Sequence, residues 1–332
     1  MRTYRVAQLG LGPIGQHCVR VLAGKPGIEV VGGLDLDPGR VGRDLGEVCG
    51  AGRALGPVRD DAEAALAEWR PDVVVHTTQS FLDRVERQIA TCVAAGAHVV
   101  SSTEELFYPL PRDADFCERI DALARERGVA VVGTGVNPGF AMDVLPLTLS
   151  SVCVAVEAIR VRRVVDAAHR RLPLRRKIGA GISVEEFAER SAAGGFGHIG
   201  LDESARAVAG TLGWPVDRLE VTLDPVVARR RVDTPGLVVE PGRVAGQHQV
   251  LTLESGGRER LRLELAMYVG AEGPEDRVEI AGEPPLVSVV EGGIFGDTAT
   301  VATLVNAVPR VVEARPGLRT MMELAVPYAF GT

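Results

Sequence analysis

The 332-residue chain is 46% hydrophobic and 24% charged, which excludes a disordered chain and leaves enough apolar surface for a sizeable core; the length suits two domains. A net charge of −7 argues against nucleic acid as a partner. The five cysteines are scattered with no CxxC pair, and no apolar run reaches the ~18 residues a membrane span needs, so a cytoplasmic protein with neither membrane partner nor metal is expected.

The chain opens on YRVAQLGLGPIGQHCVR (residues 4–20), an apolar run meeting Gly10, Gly12 and Gly15 in GxGxxG spacing, with Pro13 and Ile14 opening a helix-compatible segment. Such a strand, turn and helix suits a pyrophosphate: the first glycine turns the chain, the second lets backbone approach the phosphates, and the third brings helix to strand. A second apolar run, GIEVVGGLDLD, ends in acids, and Asp35 lies 20 residues after Gly15, where a carboxylate accepts the ribose hydroxyls of NAD. Arg40 stands where it could reach a 2′-phosphate, so NAD and NADP both remain open.

Up to about residue 140, strand and helix signals alternate. DDAEAALAEWR reads as a helix stopped by Pro71, DVVVHTT as a buried strand, and FLDRVERQIATCVAAG as a helix that Ser80 caps in a box with Asp83. AHVVSSTEE, DADFCERIDALARERG and VAVVGTGVNP continue the alternation, and the Val-rich strands predict a Rossmann-type parallel sheet covered on both faces. Ligands of such sheets lie beyond the carboxyl ends of the strands. Three exits are therefore expected to converge on the nicotinamide end of the cofactor: Thr77, Thr78 and Gln79; residues 101–105; and residues 133–140 with Asn137, Pro138 and Phe140. His76 reads as a core histidine.

Beyond residue 141 the pattern changes to an α+β domain with a mostly antiparallel sheet. AVEAIRVRRVVDA alternates as a strand with one wet face, and residues 160–177 are strongly basic, a solvated face or a source of one substrate-binding arginine. Ser183 and Glu186 predict a capping box, the GHIG stretch makes His198, between glycines, a candidate pocket wall or proton partner, and ESGGRE signals a hairpin. An uncovered face of this sheet would have to pack on a partner, so a homodimer is expected. The expected division is a dinucleotide-binding domain at residues 1–140, with a C-terminal helical segment at about 298–332 packing back on it, and a substrate and dimerisation domain at residues 141–297.

HTTQSF, SSTEELFYP, GTGVNPGFAMDVLP, GHIGLDESARAVAGTLGW and VNAVPRVVEARPGLRTM together resemble the 2,4-diaminopentanoate dehydrogenase family, whose wider membership includes NAD(P)-dependent amine dehydrogenases and whose fold is that of dihydrodipicolinate reductase. The resemblance implies reversible oxidative deamination of an amine, or reductive amination of a small ketone or aldehyde with ammonia. It marks Glu104 as the catalytic carboxylate, with Glu105 as the adjacent alternative; by alternation only one should face the cleft. Tyr108 and Phe140 are expected as apolar lining. The alternatives are 2,4-diaminopentanoate dehydrogenase itself, a C=N reductase, from which the chain departs in lacking paired histidines followed by a lysine, and a non-catalytic NAD(H)-sensing protein.

Overall fold

The computed structural model describes residues 2–109, 113–168, 170, 172–194 and 196–331. The basic stretch at 160–177 and the GFGHIG loop are thus described except at His169, Arg171 and Gly195. The chain divides into two compact units, Met1–Phe140 with Gly296–Thr332, and Ala141–Phe295.

The first unit is built on a seven-stranded parallel sheet. Its strands are β1 (Tyr4–Leu9), β2 (Ile28–Leu34), β3 (Val58–Arg59), β4 (Val73–His76), β5 (His98–Ser101), β6 (Ala130–Gly133) and β15 (Gly317–Arg319), in the spatial order β15-β6-β5-β4-β1-β2-β3. Strand order reverses at β1, between β2 and β4, and that reversal opens a crevice at the carboxyl ends of the strands. The strands are short and almost wholly apolar because both faces are covered. Helices α3 (Ala62–Trp69), α4 (Leu82–Ala94) and α5 (Ala114–Arg127) pack Leu66, Trp69, Val85, Ile89, Phe116 and Ile120 with Val74, Val99 and Val131. α1 (Pro13–Gly24) and α10 (Gly296–Glu313) pack on each other, and α10 also contacts β4, β5 and β6. Val301, Leu304, Val305 and Val308 give α10 a buried stripe at helical spacing.

In the second unit a six-stranded sheet runs β14-β13-β7-β12-β11-β8, made from β7 (Ala155–Asp166), β8 (Arg218–Val227), β11 (Val244–Ser255), β12 (Arg258–Tyr268), β13 (Glu275–Glu283) and β14 (Leu286–Glu291). All neighbours are antiparallel except β7 and β12. The Gly256–Gly257 turn joins β11 to β12 with both residues at positive φ, as a type I′ hairpin requires. The face bearing Ile159, Val161, Leu251, Leu253, Leu261 and Leu263 is buried, and α6 (Val144–Ser150), α8 (Val184–Ala192) and α9 (Leu201–Leu212) pack on the sheet.

Two expectations about helix ends need correction. Ser80 does not cap α4: the cap position is Phe81, without a side-chain bond, and the Leu82 amide donates to the carboxylate of Glu105 at 2.8 Å. A carboxylate delivered by the neighbouring β5 exit thus replaces the local signature. Ser183 does cap α8 by accepting from the Glu186 amide at 3.1 Å, but Glu186 pairs with Arg190 one turn on. The outer face of the second sheet is charged: Arg162 pairs with Glu275 at 2.7 Å and His248 with Glu264 at 3.0 Å, while Arg160 and Arg277 sit among Glu259 and Glu279. Cross-strand pairs of opposite charge make that face compatible with water. No helix among the described residues is long and apolar enough to cross a membrane.

Candidate active site

The glycine turn is held by a side chain that the sequence reading overlooked. Gln8 is buried in β1, and its amide donates to the carbonyls of Leu9 and Gly10 at 3.2 and 3.1 Å and to Thr77 Oγ1 at 2.9 Å. Thr77 Oγ1 in turn donates to the Gly10 carbonyl at 3.0 Å. A Cβ on Gly15 would stand 1.9 Å from that same carbonyl oxygen, so only glycine lets α1 sit on the turn. At Gly12 the opposite holds: nothing lies within 4 Å of the Cβ position, and a side chain there would fill the space in front of the helix. Gly12 is the N-cap of α1 with no side-chain cap, Pro13 follows it, and no acid lies in the first turn. The amides and the positive dipole end of the helix thus face open space, an arrangement suited to a pyrophosphate.

Asp35 is bonded directly to the glycine turn. Its carboxylate accepts from the Leu11 amide at 2.7 Å and the Asp37 amide at 2.9 Å, and from Arg40 at 3.0 Å. Arg40 is shared with Asp37 at 3.2 Å. Burial pushes the Asp35 carboxyl upward, but the two amides and the guanidinium outweigh it and hold the group below the ordinary carboxylate range. A charged acceptor therefore stands beside the glycine turn.

The β4, β5 and β6 exits lie side by side because those strands are neighbours in one parallel sheet. The first two are stitched together: Thr103 Oγ1 donates to the Gln79 carbonyl at 2.8 Å, the Glu105 amide donates to the Ser80 carbonyl at 3.3 Å, and the Glu105 carboxylate takes the Leu82 amide. Beneath them, fully buried His76 pairs with Ser101 Oγ and with Gln88 Oε1, each at 2.8 Å, and Thr78 Oγ1 joins both His76 and Gln88. Burial pushes the His76 pKa down to about 4, against a smaller upward pull from Gln88, so the ring is neutral at physiological pH. The hydroxyls of Thr77 and Thr78 are thus engaged inside the scaffold, whereas the Gln79 side chain is exposed.

Glu104 and Glu105 lie on a 3-10 turn, Glu104–Leu106, rather than on a strand, so strand alternation does not govern them. The turn itself separates them, with the Glu105 carboxylate directed to the start of α4. That turn rests on β6 at Gly133, where a Cβ would meet the Leu106 carbonyl carbon at 2.5 Å. Glu104 and Tyr108 are half-buried. Beyond β6, the Thr134 amide donates to the Ser101 carbonyl at 2.8 Å, and the Asn137–Pro138 bond is cis. Asn137 and Phe140 are half-buried and Pro138 is buried.

In the second unit, the GHIG loop is tied to β11, the His198 amide donating to Gln249 Oε1 at 2.7 Å. Buried Asp143 accepts from the Val144 amide at 2.6 Å and from Ser204 Oγ at 2.7 Å. Arg163 and Asp276, 3% and 1% exposed, pair at 2.8 Å, and each holds the backbone of Ile294: Arg163 Nη2 donates to its carbonyl at 2.9 Å, and its amide donates to Asp276 at 2.6 Å. Burial raises the Asp276 carboxyl, and the Arg163 guanidinium beside it opposes that shift. Of the basic stretch, Arg160 and Arg162 lie on the charged outer face, and Arg175 is buried against Thr234 and the Pro235 carbonyl. No group of three or more metal-ligating side chains occurs among the described residues.

Strand order, an uncapped glycine-turn helix and an acid after the second strand define a dinucleotide-binding dehydrogenase domain, here joined to an α+β unit. Residues 140–332 match the 2,4-diaminopentanoate dehydrogenase C-terminal domain, and residues 4–107 match the dihydrodipicolinate reductase N-terminus. The chain is 31% identical over 351 aligned residues to the 2,4-diaminopentanoate dehydrogenase of Acetoanaerobium sticklandii, covering 99% of this chain and 95% of that one. It is 28% identical over 356 to an amine dehydrogenase of Streptomyces virginiae, covering 97% and 96%. The solved amine dehydrogenase of Mycobacterium smegmatis superposes with a TM-score of 0.84 at 26% identity, over 98% of this chain and 97% of that one. The chain belongs to the 2,4-diaminopentanoate dehydrogenase family.

Proposed function

We propose that the protein is an NAD(P)-dependent amine dehydrogenase, interconverting a small amine and water with a ketone or aldehyde and ammonia. The observation that carries this reading is the division of labour in the Glu104–Leu106 turn: Glu105 caps α4, and Glu104 beside it, at the exit of β5, is the carboxylate assigned to the reacting nitrogen. The names of its relatives support the same reaction class. When bound, the nicotinamide cofactor accepts the hydride from the amine carbon or returns it.

The chain's own groups do the rest. Gly10, Gly12, Pro13, Ile14 and Gly15 receive the pyrophosphate, and Asp35 takes the ribose hydroxyls. Backbone and side chains of Thr77, Thr78, Gln79, Asn137 and Pro138 frame the nicotinamide end. Glu104 stabilises the cationic nitrogen of the iminium and relays the proton that water loses on adding to it. Tyr108 and Phe140 are the first unit's candidates for apolar contact with the substrate, and His198 is a candidate substrate residue of the second unit. Asp35 favours NAD(H), because a 2′-phosphate there meets a carboxylate and Arg40 is already shared between Asp35 and Asp37. The experiment is oxidation of NADH with a small ketone: it proceeds only when ammonium is present, and faster with NADH than with NADPH. A rate that ignores ammonium sinks the proposal.

Exposed Val287, Val289 and Val290 on the edge strand β14, with Val152 and Val154, supply the apolar contact of a homodimer. Light scattering is expected to give twice the 35.2 kDa chain mass; the mass of one chain contradicts it. The five cysteines are free thiols, which fits the reducing cytoplasm.

A further inference from the structure

β4 reads VVVH: after three buried valines its last residue is a histidine with no exposed surface. A fourth apolar side chain would fill that place without burying polar groups, and burial keeps the His76 ring neutral, its pKa pushed down to about 4. In the parallel register His76 stands opposite Ser101, the last residue of β5, and Thr103 and Glu104 follow at once.

Counting protons fixes the direction of the bonds in this group. Thr103, 1% exposed, gives its hydroxyl proton to the Gln79 carbonyl at 2.8 Å. The 3.0 Å contact between Ser101 Oγ and Thr103 Oγ1 is therefore made with the serine proton. With that proton used, Ser101 Oγ accepts from the Thr103 amide at 3.1 Å and from His76 Nδ1–H at 2.8 Å. The neutral ring thus carries its proton on Nδ1, and Nε2 accepts from Thr78 Oγ1 at 2.8 Å, the Gln88 carboxamide closing the triangle at 2.8 and 2.7 Å. One line of bonds runs from α4 through the ring to both the backbone and the side chain of the residue before Glu104.

The residue after Glu104 is held as well. The Glu105 amide donates to the Ser80 carbonyl at 3.3 Å, and its carboxylate takes the Leu82 amide at 2.8 Å. Glu104 therefore stands between two fixed residues, and α4 reaches both, through Leu82 on one side and through Gln88 and His76 on the other.

We infer that His76 is a positioning residue: its Nδ1–H orders Ser101 and Thr103 and so sets where the Glu104 carboxylate stands at the β5 exit. This inference rests on the amine dehydrogenase reading, in which Glu104 is the carboxylate at the reacting nitrogen. A reacting group misplaced by about 1 Å loses about 10²-fold in rate, so the effect of the ring falls on kcat.

The test separates the two ends of the ring. Asparagine puts its amide nitrogen where Nδ1 stands and keeps the bond to Ser101; glutamine reaches the place of Nε2 and keeps only the bond toward Gln88. In the full-length protein, aminating a small ketone with ammonium and NADH, His76→Gln and Ser101→Ala are expected to lower kcat by about 10–100-fold, and His76→Asn to stay near wild type. Backbone hydrogen exchange over residues 101–107, read by mass spectrometry without turnover, is expected to quicken in the first two variants and not in the third. Ser101→Ala, which removes one buried oxygen, serves alone if the His76 variants do not fold. Equal kcat in His76→Asn and His76→Gln, or unchanged kcat in Ser101→Ala, overturns the inference when Glu104→Ala is inactive. Full kcat in Glu104→Ala removes the underlying reading and the inference with it, so the two failures are told apart.

Discussion

Glu104→Ala is expected to lower kcat for amination by about 10²–10⁴-fold, the range that a positioned acid or base contributes, with the dissociation constant for NADH within about twofold of wild type. The reason lies in the separation of the two neighbouring acids. Glu105 is bound to the start of α4, and its loss weakens a helix terminus, an effect on stability of roughly 0.5–2 kcal/mol. Glu104 lies on the same turn, which rests on Gly133 through Leu106, and the groups proposed to hold the pyrophosphate and ribose, the glycine turn and Asp35, lie on other segments. Stopped-flow turnover combined with fluorescence titration of NADH separates the two effects. Unchanged kcat in the alanine variant removes Glu104 from the chemistry; equal losses in kcat and in NADH binding mark it as structural.

Arg163→Met is expected to have the largest effect on stability, about 3–5 kcal/mol, because it leaves the carboxylate of Asp276 buried and uncompensated. At roughly 2–4 °C per kcal/mol for a unit of this size, its melting temperature falls by about 6–20 °C. Replacing both partners, Arg163→Met with Asp276→Leu, restores most of the loss, since well-packed apolar side chains substitute for a buried pair at little net cost. Calorimetry on the single and double variants decides it: a double variant no more stable than the single one means that the bonds to Ile294, rather than the charges, carry the stabilisation.

What could be read from the sequence follows from how local each signal is. The glycine spacing, Pro13 and Asp35 fall within one β-α-β stretch, and the structure forms that stretch with the expected turn and acid. Strands β4, β5 and β6 were legible from unbroken valines, because a strand covered on both faces has no polar positions to alternate. Ser80 and Asp83 misled because a capping signature is local, whereas the carboxylate that took the cap is 23 residues away and arrives through the pairing of β4 with β5. Gln8 left a signal of its own, one polar residue inside VAQL, whose meaning depends on Thr77 on the next exit. Arg163 looked like one more member of a basic stretch. Only strand register, which puts Asp276 opposite it on β13, distinguishes it from exposed Arg160 and Arg162. The alternation in β7 marks its wet face as charged, but the matching acids on β12 and β13 become partners only through strand pairing.

The amine chemistry assigned to Glu104 is tested most directly by identifying the product formed from a small ketone, NADH and ¹⁵N-labelled ammonium. The account predicts the corresponding primary amine carrying the label, formed in step with NADH consumed and lost in Glu104→Ala. An alcohol, or NADH consumption with no labelled amine, would contradict it.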